Sequence, residues 1–201
     1  MIEFADIAQR ITDVPLRRGR RIIAVAGPPA SGKSYLAKKL SARIPHACVV
    51  PMDGFHHSND HLQARGLLSR KGAPETFDVA GLVSLSERMR HAGEVPFPTF
   101  DRARDCVVPN GGCLRASDTT VLVEGNYLLF DAPPWDGLAK LWDFGIVLDV
   151  PLAELRNRLL KRWLDLGYDS DAAVKKAEEN DLPNARLVNS KLLPADMVLS
   201  G

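Results

Sequence analysis

The sequence predicts an α/β fold, a parallel five-stranded sheet flanked by helices, on three observations. Short apolar bursts at 22–26, 47–50, 121–123, 144–148 and 197–199 have the length of buried strands. Stretches of helical periodicity fill the intervals, as a parallel sheet requires of its crossovers. Between the first burst and the helical run that starts at Ser34 lies Gly27-Pro28-Pro29-Ala30-Ser31-Gly32-Lys33-Ser34, which fits the phosphate-binding pattern G-x-x-x-x-G-K-[ST] in its strand-loop-helix setting.

Taken in order, Ile2, Ile7 and Ile11 fall near one face of a short opening helix, with Phe4 beside them, and the helix stops before Val14-Pro15. The run Arg17, Arg18, Arg20 and Arg21 reads as a solvated approach to the first strand. Helices are predicted over 34–43, over 79–91 with Leu82, Leu85 and Met89 at helical spacing, and over 152–166 with Leu155, Leu159 and Trp163 in the same relation. Two segments interrupt the alternation. Residues 54–77, rich in Gly, His, Arg and Ser, predict a long and partly helical connection. Residues 96–112, with Pro96, Pro98, Pro109 and Gly111-Gly112, predict an irregular hairpin. Long connections at the carboxyl ends of parallel strands are where such folds bind ligands, so the substrate is expected there.

The 201 residues suit a single domain, 1–201, comprising an N-terminal helix and basic approach (1–20), substrate-side insertions (54–112) and a lid region (152–180). Lys and Arg number 26 against 25 Asp and Glu, a formal charge of +1, so no overall field draws the chain to nucleic acid or an anionic membrane. The expected partner is a small molecule, and the expected state a monomer or homodimer. Cys48, Cys106 and Cys113 form neither a paired framework nor a CxxC spacing, which points to a reducing cytoplasm. No apolar run approaches the roughly 20 residues that span a bilayer.

The glycine-rich motif carries the chemistry. Gly27, Ala30, Ser31 and Gly32 turn backbone N–H groups toward phosphate oxygens, the helix start through Ser34 and Tyr35 adds its positive end, Lys33 reaches the β and γ phosphates, and the Ser34 hydroxyl ligates Mg²⁺. The chain carries no N-K-x-D guanine-reading element and no L-S-G-G-Q transporter signature, which favours ATP over GTP and sets transport ATPases aside. Asp53 leaves the end of the second strand ahead of Gly54 and suits a base that accepts the proton of an attacking hydroxyl; an ordinary Asp-Gly turn is the alternative. Glu124 ends the strand 121–123 and suits Mg²⁺ through a bound water, or simply closes the strand. Arg158 and Arg162, one helical turn apart, form either a lid over the phosphates or a solvated face balanced by Glu154 and Asp165.

These residues together resemble the uridine kinase, pantothenate kinase and phosphoribulokinase group of P-loop kinases over roughly 22–199. The most specific stretches are Met52-Asp53-Gly54-Phe55, Arg65-Gly66-Leu67, and Arg70-Lys71-Gly72-Ala73-Pro74-Glu75-Thr76-Phe77-Asp78, which looks like bacterial pantothenate kinases; Val123-Glu124-Gly125-Asn126-Tyr127 resembles the group's second acidic strand. Small bacterial proteins labelled as fructose-transport kinases are similar as well. The resemblance implies the P-loop NTPase three-layer fold with sheet order 2-3-1-4-5, ATP with Mg²⁺, Asp53 as catalytic base, a helical lid bearing Arg158 and Arg162, and an adenine pocket near Asn184. The chain departs from uridine kinases after the base, where an aromatic residue followed by Tyr is usual and Phe55 is here followed by His56-His57, and at Leu166-Gly167 in place of an Arg-Gly pair.

On the substrate side, His56, His57, His61, Arg65, Arg70, Lys71, Glu75, Asp101, Arg102 and Arg104 make a mostly cationic collection. It suits a hydroxylated acceptor that carries an acid or phosphate. The expected substrate contacts are Asp53, His56, Arg65, Lys71, Arg102 and Glu124. Phe97 and Phe100 read as a wall of that site or as hairpin core, and Trp135, Trp142 and Trp163 as structural. The expected activity is transfer of the ATP γ-phosphate to a hydroxyl of a small metabolite; the alternative is a regulatory or transport-accessory ATPase with no phosphorylated product.

Overall fold

The structure, a computed structural model, describes residues 3–91 and 93–200. Ile2, expected on the first helix, lies outside the described residues. Helix α1 (Phe4–Asp13) turns Ile7, Ala8 and Ile11 inward and leads to β1 (Arg21–Ala26). The glycine-rich turn follows, then α2 (Lys33–Ser41) and β2 (Ala47–Pro51). The long connection carries α3 (Asn59–Ala64) and ends at α4 (Val79–Met89). Strands β3 (Val95–Asp101) and β4 (Cys106–Leu114) form an antiparallel hairpin with a register shift between Phe97 and Thr99. The chain re-enters the sheet as β5 (Thr120–Gly125) and β6 (Phe144–Asp149), passes through α5 (Leu152–Asp165), α6 (Ser170–Lys176) and α7 (Leu182–Ser190), and ends on β7 (Met197–Ser200).

The main sheet runs β2-β5-β1-β6-β7 with every pairing parallel. Against the expected 2-3-1-4-5 the order differs only in count, because the hairpin forms a separate two-stranded sheet and advances the number of each later strand. Side chains alternate across the sheet with period two. Ile22, Ala24 and Ala26 join Val121, Val123 and the α4 residues Leu82, Leu85 and Met89 on one face, while Ile23 and Val25 join Leu122, Ile146, Leu36, Leu40, Ile7 and Ile11 on the other. Both faces of β1 and β5 are thereby covered, which is why their sequences read as unbroken apolar runs.

The basic run ahead of β1 is only partly the solvated approach expected of it: Arg17 and Arg18 are exposed, whereas Arg20 and Arg21 are drawn into the structure. Arg20 is 1% exposed and donates to the carbonyls of Asp118, Met89, His91, Gly93 and Arg115. Arg21 donates to the carbonyls of Ile11, Thr12 and Val14 past the end of α1, and Arg17 pairs with Asp143. Arg20 and Arg21 thus bind carbonyls at the ends of helices and strands, a demand invisible in local charge pattern. At Asp181-Leu182-Pro183-Asn184 the chain stays helical: a π-turn over Ala177–Asp181 carries α6 directly into α7, with Pro183, which has no N–H to give the ladder, in the first turn of α7.

Candidate functional site

Parallel register brings the site residues to one edge. Val25 of β1 and Pro51 of β2 both align with Glu124 of β5, so the loops leaving β1 and β2 converge on the Glu124 carboxylate. Glu124 shares the face of Leu122, toward α2, and is 9% exposed. Its Oε1 accepts the Ser34 hydroxyl at 2.9 Å. Two side-chain oxygens therefore stand together at the start of α2.

The loop from Gly27 to Gly32 curls ahead of that helix. Gly32, the N-cap of α2, holds φ at 99°, the left-handed region where a side chain is disfavoured. Ala30 also sits at positive φ, 62°, a strain of about 1 kcal/mol that the surrounding loop must sustain. Lys33 is 7% exposed and folds back, donating to the Pro28 carbonyl at 2.8 Å, with Ser31 Oγ at 3.4 Å. Burial pushes its ammonium down to about 8, against the opposing pull of Glu124 and Asp53. Burial likewise raises Glu124 above the ordinary carboxyl range, with Lys33 resisting. Both shifts arise from desolvation; an anion beside Lys33 would raise its value again, and a cation beside Glu124 would lower its own.

Asp53 occupies a 3-10 turn, Met52–Phe55, directly after β2. Its Oδ2 pairs with Arg102 Nη2 at 2.5 Å, across from the hairpin tip. His56 stacks on Phe77 with centroids 4.0 Å apart, its second neighbour being Phe100 at 5.0 Å. Burial pushes its imidazole down to about 4, and its Nδ1 is buried without a hydrogen-bond partner among the described residues. Lys71 lies over the Phe100 ring at 4.8 Å and binds Asn59 Oδ1 at 2.6 Å and Asp105 Oδ1 at 2.9 Å, pinning the hairpin tip. Of the two hairpin phenylalanines, Phe97 is core and Phe100 faces this cluster.

Helix α5 meets the same edge. Arg158 Nη1 lies 3.4 Å from the Ser31 carbonyl while its Nε pairs with Glu154 at 2.7 Å. The Arg162 guanidinium is held below its usual range by burial first and by the like charge of Arg102 second, and Asp53 and Asp181 partly offset this. Asp181 itself accepts the Trp163 indole N–H at 2.7 Å. Lys33, Arg102 and Arg162 thus act on one another electrostatically, a concentration of positive charge facing two carboxylates.

The structure brings together Gly27, Ala30, Ser31, Gly32, Lys33, Ser34, Asp53, Glu124, Arg158 and Arg162, with Arg102, His56 and Lys71 along the hairpin side. Three expected contacts are not assembled as foreseen. The Tyr35 side chain is 60% exposed and meets Phe4 edge-on at 6.3 Å, leaving only its first-turn backbone N–H for a phosphate. Arg65 is the exposed C-cap of α3, and its charge acts on His57. Asn184 is 4% exposed and donates to Asn180 at 3.4 Å, whose amide in turn donates to the Lys71 carbonyl at 2.9 Å; it presents no open edge to adenine. Sequence reasoning missed Asn180, Asp181, Asn59 and Asp105, whose roles rest on pairings far apart in the chain.

No protein-family model matches the chain. A solved structure from Silicibacter sp. TM1040, described as a "putative fructose transport system kinase", superposes with a TM-score of 0.95 at 45% identity, covering 99% of this chain and 100% of that one. A protein of Schizosaccharomyces pombe named "Putative uridine kinase C227.14" is 32% identical over 213 residues, 98% of this chain and 89% of its own length. A pantothenate kinase of Rhodopseudomonas palustris (strain BisB5) is 32% identical over 171 residues, 79% of this chain and 54% of the longer relative. With likeness of this extent added to the glycine-rich loop, two carboxylates and the α5 arginines on one sheet edge, the chain belongs to the uridine kinase, pantothenate kinase and phosphoribulokinase group of P-loop kinases.

Proposed function

We propose that this kinase binds ATP with Mg²⁺ at the loop Gly27 to Ser34 and passes the γ-phosphoryl group to a hydroxyl of a small metabolite seated between Asp53 and the hairpin tip. The observation that carries the reading is the meeting of Asp53, Lys33, Glu124, Arg102 and Arg162 at one sheet edge, where Lys33 and Arg162 are buried and neither forms an ion pair among the described residues. Ser34 and Glu124 offer Mg²⁺ the one or two protein oxygens it commonly takes beside phosphate and water. That ion would neutralise phosphate charge.

In this reading Lys33 exchanges the Pro28 carbonyl for phosphate oxygens. Asp53 takes the proton from the acceptor hydroxyl as its oxygen bonds to the γ phosphorus, and the bond to the β-bridging oxygen breaks with its electron pair leaving on ADP. Arg158 and Arg162 meet the charge that spreads over the moving group. A regulatory ATPase is not favoured by relatives named as kinases. Among the described residues no helix is long and apolar enough to cross a membrane, and the three cysteines are free, in keeping with a cytoplasmic setting.

The test is ADP release from Mg-ATP with pooled acceptors. Stimulation by one pool, absent in Lys33→Ala, is expected. Asp53→Asn should lower that turnover by about 10²- to 10⁴-fold while leaving Mg-ADP binding near that of the wild type. Full turnover in Asp53→Asn would remove the base from the mechanism.

A further inference from the structure

The partner of Arg102 is the very carboxylate that the reaction needs free. Arg102 Nη2 lies 2.5 Å from Asp53 Oδ2, and the arginine side chain is 57% exposed against 25% for the aspartate. An oxygen lone pair held by a guanidinium is poorly placed to accept a hydroxyl proton. The other cations have different engagements: Lys33 on the Pro28 carbonyl, Arg158 on Glu154, Lys71 on Asp105.

The backbone under Arg102 is fixed although its side chain is open. Asp101 Oδ1 accepts the N–H groups of Ala103 and Arg104, each at 3.0 Å, and Asp105 is tied to Lys71 and Asn59 at 2.9 Å each. A guanidinium carries five N–H donors in a planar fork, of which Asp53 engages Nη2. An ion pair this exposed is weakly held and readily exchanged. A carboxylate or phosphoryl group offers the same fork two parallel contacts.

We infer that Arg102 is the receptor for an oxyanion carried by the acceptor, and that binding of this anion takes the guanidinium from Asp53 and so frees the base beside the acceptor hydroxyl. The inference rests on Asp53 acting as the base. With Arg102 in place and no acceptor, Asp53 Oδ2 is occupied, and water at the same position finds no acceptor in that oxygen. With the acceptor bound, the hydroxyl proton passes to Asp53 Oδ2, the oxygen–phosphorus bond forms, and ADP departs. With water in that role the same bonds form and break, giving inorganic phosphate. The pair therefore both selects anionic acceptors and restrains ATP hydrolysis in their absence.

The experiment compares the full-length wild type, Arg102→Ala, Asp53→Asn and the double variant for ADP release from Mg-ATP without acceptor. A severalfold rise in Arg102→Ala that disappears in the double variant is expected; a rate equal to or below wild type in Arg102→Ala overturns the restraint. Binding is then measured by calorimetry with Mg-ADP present, using two pairs matched except in charge: D-glycerate against glycerol, and D-fructose 1-phosphate against D-fructose. At least tenfold preference for the charged member of one pair, reduced to less than threefold in Arg102→Ala, is expected, and the pair in which it is found tells carboxylate from phosphate. Preference in neither pair, or preference that survives Arg102→Ala, overturns the receptor role. Loss of the kinase reading is distinguishable: no variant and no acceptor would then give turnover that Lys33→Ala abolishes.

Discussion

Gly54 lies directly beneath Pro98: a Cβ on Gly54 would stand 2.2 Å from the Pro98 carbonyl oxygen and 3.1 Å from the Thr99 nitrogen. The hairpin that carries Arg102 is therefore seated on the residue next to Asp53. The Asp-Gly pair after β2 is more than a turn, because the glycine is what lets the hairpin approach.

Gly54→Ala tests that seating. The added methyl must push the hairpin backbone away, at about 1–3 kcal/mol of stability, and separate Arg102 from Asp53. Acceptor-stimulated turnover should fall at least tenfold while Mg-ADP affinity stays within about twofold, since the phosphate loop is untouched; a misplacement near 1 Å has effects of this order. Wild-type turnover in the variant would show that hairpin position does not matter.

Lys33 gives a proton signature for nucleotide binding. Its ammonium, pushed down to about 8 by burial, is half neutral at pH 8 in the free protein. Phosphate favours the charged form, so binding must draw in a proton wherever the free amine has lost one. Affinity for Mg-ADP is expected to hold below pH 8 and to fall above it, by up to tenfold per pH unit. Calorimetry at pH 8 in buffers of different ionisation enthalpy should register uptake of about half a proton. Lys33→Arg, always charged, should register none; equal uptake in the variant would assign the proton elsewhere.

His56 makes the fold acid-sensitive. Its imidazole titrates near 6.5 when unfolded and is pushed down to about 4 by burial in the fold. A folded value below the unfolded one gives stability that is fully present above pH 6.5 and is lost as pH falls toward 4, where the slope ends. The loss by pH 4.5 amounts to about 2–3 kcal/mol. His56→Phe keeps an aromatic ring against Phe77 and removes the proton site. Urea midpoints at pH 7 and pH 4.5 should therefore draw closer together in the variant than in the wild type; an unchanged gap would clear His56 of the effect.

What the sequence revealed follows from distance along the chain. The phosphate loop is legible because Gly27 to Ser34 is one continuous turn with a fixed strand before it and a fixed helix after it. Asp53 and Glu124 were legible because each follows a buried strand, and parallel register carries both to the same edge. The Arg102–Asp53 pair was not, although both residues were singled out, since 49 positions separate them and the contact depends on hairpin seating. Lys71 was expected to bind substrate, yet in the structure Asp105, 34 positions away, takes much of its charge. Asn184 was named only through the resemblance, and in the structure it is buried against Asn180.

Arg20 is the strongest case of a residue whose role lies wholly in three-dimensional packing. It reaches carbonyls 69 to 98 positions away: Met89 and His91 after α4, Gly93 just before β3, Arg115 just after β4, and Asp118 ahead of β5. The guanidinium thus clamps both feet of the hairpin while donating to carbonyls outside the strand ladders, that of Arg115 shared with the Asp118 N–H. Arg20→Met keeps the aliphatic bulk but strands those acceptors, and an unpaired buried polar group costs about 1–3 kcal/mol. Several lost together predict destabilisation of about 3–5 kcal/mol, read as a lowered urea midpoint with an unchanged slope. Arg20→Lys, with three donors on a narrower head, should recover less than half of the loss. A Met variant as stable as wild type would mean that the carbonyls find other donors, and the clamp would then have no part in holding Arg102 over Asp53.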